Sequence, residues 1–256
     1  MKSMASWSRT LFPAATVLAL LAPAAVHGAT EQSQPQISIW VDGTKIDILA
    51  PTGTSSRRGK GVYEIENFSI KTADYEITLS ALLDPDPSIA YAIGVIDFGA
   101  PSTFGFLFLT PIVSTASPNL VEASIVGGLT DFTGDGVSLT PIGAFTQVSS
   151  VGAPLTGMGV DVGLAASYPA GNPGANYTYG SFAAGPLAGP SPGPWTLLQT
   201  IANFQLSGNG DGAALTGFAS IVENTTIIPE AGTNGGVLML GALAGWSWRR
   251  QRTARK

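Results

Sequence analysis

Apolar positions along this chain recur at intervals of two. Over residues 74–81, Tyr75, Ile77, Leu79 and Ala81 fall on one face, and Asp74, Glu76, Thr78 and Ser80 on the other. That alternation is the signature of a half-buried strand. Residues 62–70 alternate less strictly and are expected to pair with this strand across Lys71, Thr72 and Ala73. Segments 36–41 and 45–50 flank Asp42-Gly43-Thr44, a hairpin signal because glycine supplies the positive φ of a tight turn. Residues 88–98 set Ile89, Tyr91, Ile93 and Val95 against alanine and glycine, whereas 104–109 are apolar on both faces, as in a central buried strand. Further strands are predicted over 120–126, 144–149, 159–165, 177–182, 195–206 and 213–222. No segment of the body carries a helical period. Many short strands with Gly and Pro between them predict an all-β fold over residues 29–227, an antiparallel β-sandwich or jelly-roll-like domain.

Two stretches echo one another. Gly134-Asp-Gly-Val-Ser-Leu-Thr140 and Gly210-Asp-Gly-Ala-Ala-Leu-Thr216 share one pattern, and Asp131-Phe132 and Asn203-Phe204 precede them. A repeated strand–turn–strand hairpin is the expectation, since one echo is too few for a solenoid or propeller. Residues 166–194 hold Pro169, Pro173, Pro186, Pro190, Pro192 and Pro194 among glycines, which predicts a long surface loop within the domain.

Composition narrows the chemistry. The chain has no cysteine, and its single histidine is His27, inside the N-terminal apolar segment. A body that begins at Ala29 therefore has no Ser-His-Asp triad, no Cys-His pair and no His- or Cys-based metal site. Residues 29–228 carry sixteen acidic against five basic residues, a net of −11. Such a surface repels polyphosphates, so nucleic acid is not an expected partner. Carboxylate pairs, Ser/Lys chemistry, tyrosine and hard cations remain.

Asp131-Phe-Thr-Gly-Asp135-Gly136 matches the start of a calcium-binding loop, with oxygen ligands at Asp131, Thr133 and Asp135 and glycine at the sixth position. The twelfth position, where a bidentate Glu would close the shell, is Ile142. Calcium is thus the one candidate cofactor, and the competing reading is a turn that uses Asp and Gly for their backbone habits. Asp84-Pro-Asp86-Pro reads as a strand end, because each Pro extends the preceding Asp. Glu64 with Glu66, or Asp74 with Glu76, have the spacing of a glycosidase pair, although alternating charge on a strand ordinarily marks its wet face. Trp40, Trp195, Tyr177 and Tyr179 are candidates for a sugar-stacking platform or for core.

The two ends carry the sorting information. Lys2 and Arg9 precede an apolar run over 11–25, and Val26-His27-Gly28 offers small residues at −3 and −1 for cleavage between Gly28 and Ala29. Residues 1–28 therefore read as a secretory signal peptide, with an uncleaved anchor as the alternative. At the other end, Pro229-Glu230-Ala231 precede an apolar run over 233–248, followed by Arg249, Arg250, Arg252, Arg255 and Lys256. Sixteen helical residues rise about 24 Å, and Trp246, Trp248 and the arginines extend that reach to the interface. The cations place the C-terminus on the cytoplasmic side as a basic stop-transfer element.

This tail, residues 228–256, resembles the PEP-CTERM sorting signal of exported bacterial proteins, with Ala231 in place of the motif's second proline. The resemblance implies an exosortase-like processing enzyme as partner and a membrane helix that tethers the chain or is lost on processing. It also implies an association with exopolysaccharide or biofilm matrix. A simple membrane anchor and a sortase-type signal, loosely matched by Ile228-Pro-Glu-Ala-Gly232, remain alternatives. The expected protein is a non-enzymatic surface or matrix component with a structural or adhesive role. The alternative is a carbohydrate-binding or carboxylate-dependent polysaccharide-active protein.

Overall fold

Chain alternation of this kind must bury one face of each strand, and two sheets facing each other are the means. The computed structural model describes residues 34–49, 61–115, 119–190 and 194–223. In chain order the strands are β1 (Gln36–Val41), β2 (Thr44–Leu49), β3 (Tyr63–Lys71), β4 (Tyr75–Asp84) and β5 (Ser88–Asp97). There follow β6 (Thr103–Thr115), β7 (Asn119–Asp131), β8 (Gly136–Pro141), β9 (Gln147–Val151) and β10 (Thr156–Gly157). The last four are β11 (Ala166–Pro169), β12 (Ala175–Ala188), β13 (Trp195–Leu206) and β14 (Asp211–Glu223). Every named strand pairing is antiparallel.

One sheet runs β10-β9-β13-β6-β1-β2, with β8 also paired to β13 and β11 to β8. The other runs β12-β7-β14-β5-β4-β3. Their inner faces share one core. Phe104, Phe106 and Phe108 of β6 and Phe204 of β13 are fully buried, opposite Ile77, Leu79, Ile89, Ile125 and Leu129 from the second sheet. Phe204 lies 6.0 Å from Phe104 and 6.3 Å from Phe106 between ring centroids. Tyr91 of β5 stacks across the interior on Phe108 at 4.6 Å. The fold is thus all-β and sandwich-like, as the alternation predicts.

The interior is not wholly apolar. The Tyr91 hydroxyl donates to Oε1 of buried Gln147 at 2.7 Å, and Gln147 Nε2 donates to the Phe218 carbonyl at 2.9 Å. The Thr146 and Tyr179 hydroxyls share a bond of 2.7 Å. Burial raises both tyrosine hydroxyls above their ordinary value, so each stays protonated. The resulting seam ties β9 and the residues before it to both β5 and β14, because buried polar groups must find partners. Gly217 is required beside it, since a Cβ there would run into the Tyr91 ring.

Three expectations need correction. Residues 166–194 are not one loop: β11 and β12 lie there, and β12 spans fourteen residues. Its prolines and glycines fit because β12 is an edge strand with register shifts at Thr178/Gly180 and Ala184/Leu187, where a missing N–H costs no ladder bond. The segment 159–165 is not a regular strand; its ladder contact is a single bridge, Gln147↔Val162. The two Gly-Asp-Gly stretches are not hairpins, because β7 and β8 belong to different sheets, as do β13 and β14. The expected signal peptide, 1–28, and the expected sorting tail, 228–256, lie outside the described residues.

Because Phe204 fills the centre of the shared core, Phe204→Ala should cost about 3–5 kcal/mol. Urea unfolding followed by tryptophan fluorescence reads this directly, and a loss below about 1 kcal/mol would place the ring outside the core.

Candidate metal centre

A chain that leaves one sheet for the other must turn a corner without orphaning its backbone N–H groups. At three of these crossings, β5–β6, β7–β8 and β13–β14, a buried aspartate stands at the strand end: Asp97, Asp131 and Asp211. Asp97 pairs in register with Asp211, and Gly212 pairs with Thr130, which brings Asp211 alongside Asp131. The three carboxylates therefore form a row across one end of the six-stranded sheet, on β5, β14 and β7.

Each holds a corner closed. Asp131 Oδ1 accepts the Gly134 N–H at 2.5 Å and Oδ2 the Gly136 N–H at 2.9 Å. Asp97 accepts the Ser102 N–H at 2.8 Å and the Gly99 N–H at 3.3 Å. Asp211 Oδ2 accepts the Ser207 hydroxyl. The corners also bind one another: the Asn209 N–H donates to Gly99 O at 2.7 Å and the Gly210 N–H to Asp97 O at 2.6 Å. Gly208 has φ +81° and sits so close that a Cβ would lie 2.6 Å from Gly99 O. Only glycine fits both the conformation and the contact.

Asp135 joins the row from the tip of the β7–β8 corner. Its carboxylate accepts from the Thr133 hydroxyl at 2.5 Å and from Asn209 Nδ2 of the other corner at 3.0 Å. Those two bonds lower its pKa. Burial raises Asp97 against the opposing pull of the Ser102 and Gly99 donors. Asp211 is pushed up to about 6, first by burial, then by the charges of Asp131, Asp135 and Asp97, with the Ser207 bond opposing. Oxygens of Asp131, Asp135 and Asp211 all lie within 4.8 Å of one another.

The structure therefore brings together Asp131, Thr133 and Asp135, as the loop pattern predicts, but Thr133 is turned onto Asp135. The continuation of a calcium-binding helix-loop is absent. Gly136–Pro141 is strand, rising about 3.3 Å per residue, so Ile142 stands at its far end and is exposed. Asp211 stands in the second, weaker echo with Ser207 and Asn209 at the matching positions and Phe218 at the twelfth; its meeting with Asp131 and Asp135 is what the pattern does not give.

Other candidates disperse. Asp84 Oδ1 accepts the Asp86 N–H at 2.9 Å in the β4–β5 turn. Glu76 pairs with Lys71 at 2.6 Å on the edge hairpin. Trp195 and Tyr179 are core, Tyr177 stacks on Tyr168 at 4.4 Å, and Lys45 covers Trp40 at 5.4 Å. They do not share a platform. Gly28, Ala29, Pro229, Glu230, Ala231, Arg249, Arg250 and Arg252 lie outside the described residues.

No family model matches the chain, and no curated protein matches it. Among solved structures it is similar to the enzymatically active domain of bacteriophage CBA120 tailspike protein 4, with a TM-score of 0.24 and 12% identity over 64% of this chain. The match spans about 20% of that structure's length.

The raised pKa of Asp211 sets a pH dependence. With a folded value of about 6 against an ordinary 3.8, the folded state holds the proton more tightly than the unfolded chain. The group's stabilising contribution is complete below pH 4 and is lost as pH rises through 6. In chelator, Asp211→Asn should gain on wild type by up to about 3 kcal/mol between pH 4 and pH 7. Parallel unfolding curves for the two proteins across that window would remove Asp211 as the cause.

Proposed function

We propose that this chain is an exported bacterial cell-surface or matrix protein whose two-sheet body has a structural or adhesive role. In this reading residues 1–28 are a signal peptide removed between Gly28 and Ala29. Residues 228–256 are the sorting tail, with Pro229, Glu230 and Ala231 presented to an exosortase-like enzyme. Residues 233–248 cross the membrane, and Arg249, Arg250 and Arg252 stay on the cytoplasmic side. Exopolysaccharide is the proposed contact partner.

The observation that carries this reading is the outer face of the six-stranded sheet. Thr78, Ser80, Ala92, Ala214 and Thr216, with Val126, line an open depression of about 420 Å³. Its lining residues carry no ionisable side chain. A face of short hydroxyl and aliphatic groups suits broad contact along a polymer, because hydroxyls hydrogen-bond in either sense and small side chains leave few steric obstacles. The buried carboxylates support a non-catalytic role, since they are engaged in closing the corners described above.

Cell fractionation with intact-mass measurement tests the sorting. The expected protein begins at Ala29, is recovered from the envelope or medium, and either ends near residues 229–232 or retains its basic terminus in the membrane. Recovery from the cytosol with both ends intact overturns the proposal. Incubation with isolated matrix polysaccharide tests the role: co-sedimentation without release of reducing ends is expected, and release would replace it with the polysaccharide-active reading.

A further inference from the structure

We propose that Asp131, Asp135 and Asp211 hold a structural calcium ion that clasps the β7–β8 corner to the β13–β14 corner. Two separate observations point to the ion. The first is convergence: three carboxylates from different parts of the chain present oxygens within 4.8 Å of one another. Two oxygens each about 2.4 Å from one calcium stand at most about 4.8 Å apart, so a single ion spans this arrangement.

The second is an orphaned group. Asp211 is 1% exposed, and its Oδ1 is buried without a hydrogen-bond partner. Its other oxygen is occupied by the Ser207 hydroxyl. An ionised carboxylate is an acceptor only, so the bare oxygen requires a donor or a cation. Leaving it unpaired beside two further carboxylates is costly in a buried setting. The carboxylates of Asp131 and Asp135 lie beside it, and a cation answers that arrangement.

The ligand set selects the metal. All three donors are carboxylate oxygens, which suit hard cations rather than transition metals. They come from two corners whose backbones are fixed by their own bonds: Asp131 to Gly134 and Gly136, and Asn209 to Gly99. Calcium accepts such an irregular shell, whereas magnesium demands near-octahedral geometry at about 2.1 Å. Asp131 has spare lone pairs, since each of its oxygens accepts one N–H and can accept more. Asp135 is exposed, which gives the ion an entry path. Thr133 and Asn209 orient Asp135 through its two oxygens.

The two Gly-Asp-Gly echoes thereby acquire complementary parts. The first supplies Asp131 and Asp135; the second supplies Asp211 in place of the distant twelfth position. Each corner joins one sheet to the other, so the ion would fasten the sandwich at the rim where the sheets meet. The inference is independent of where the chain is sorted.

The test uses the full-length chain in detergent, stripped with EGTA, at pH 7.5. Adding 10 mM CaCl2 should raise the melting temperature by about 5 °C, and calorimetric titration should give one site. Asp135→Asn, a change at an exposed position that spares the core, should remove most of the rise. Asp211→Asn should remove it entirely. An unchanged melting temperature with no heat of binding overturns the proposal. So does a full response in both variants, or an equal rise with 10 mM MgCl2.

Discussion

The passage of the chain between two sheets is the constraint on which the rest of this structure depends. At a corner the backbone leaves one ladder before it has joined the next, and its N–H groups have no strand to bond. Here aspartate carboxylates meet that need: Asp131 closes on Gly134 and Gly136, and Asp97 on Ser102 and Gly99. Antiparallel register then sets Asp97, Asp211 and Asp131 side by side. A local solution to backbone pairing, used at Asp131 and Asp97 with Asp211 set between them, produces a concentrated negative charge that none of the corners needs by itself. Burial first, and the charge of that row after it, raises the Asp211 carboxyl.

Behind the rim the two sheets are held by different means. The aromatic cluster of Phe104, Phe106, Phe108 and Phe204 supplies undirected burial, and the Tyr91–Gln147–Phe218 chain supplies direction. A buried amide with fixed partners penalises any slip between sheets, since slipping would leave Gln147 unpaired. With the interior and one rim so committed, the broad outer faces are left for contact with surroundings. That division, a locked frame with plain faces, is what the proposed structural role rests on.

Much of the fold was legible because period-two alternation survives wherever a strand has one buried and one wet face. The segments 36–41 and 195–206 coincide with β1 and β13. The hairpin at Asp42-Gly43 forms with φ of +50° and +74°. Legibility was partial where composition argues against pairing: 177–182 reads as strand, but β12 runs on from Ala175 to Ala188 through Gly185 and Pro186, which an edge strand with bulges admits. Two of the three carboxylates of the candidate metal centre, Asp131 and Asp135, were visible in one loop pattern. Asp211 lies 76 residues beyond Asp135 in the numbering, too far for any local motif to reach.

The sequence by itself determined the strand character of the body, the absence of cysteine from the chain and of histidine after His27, and the acidic balance, because these depend only on residue type and short-range order. It also determined the pattern of the two ends, which is a matter of apolar length and flanking charge. Tertiary structure alone decided that the Gly-Asp-Gly stretches are corners between sheets rather than hairpins. Local turn chemistry is the same in both cases; which sheet the next strand joins depends on long-range burial. Tertiary structure alone also decided that Asp211 would face Asp131 and Asp135, because only the antiparallel register of β14 between β5 and β7 brings those carboxylates to one rim.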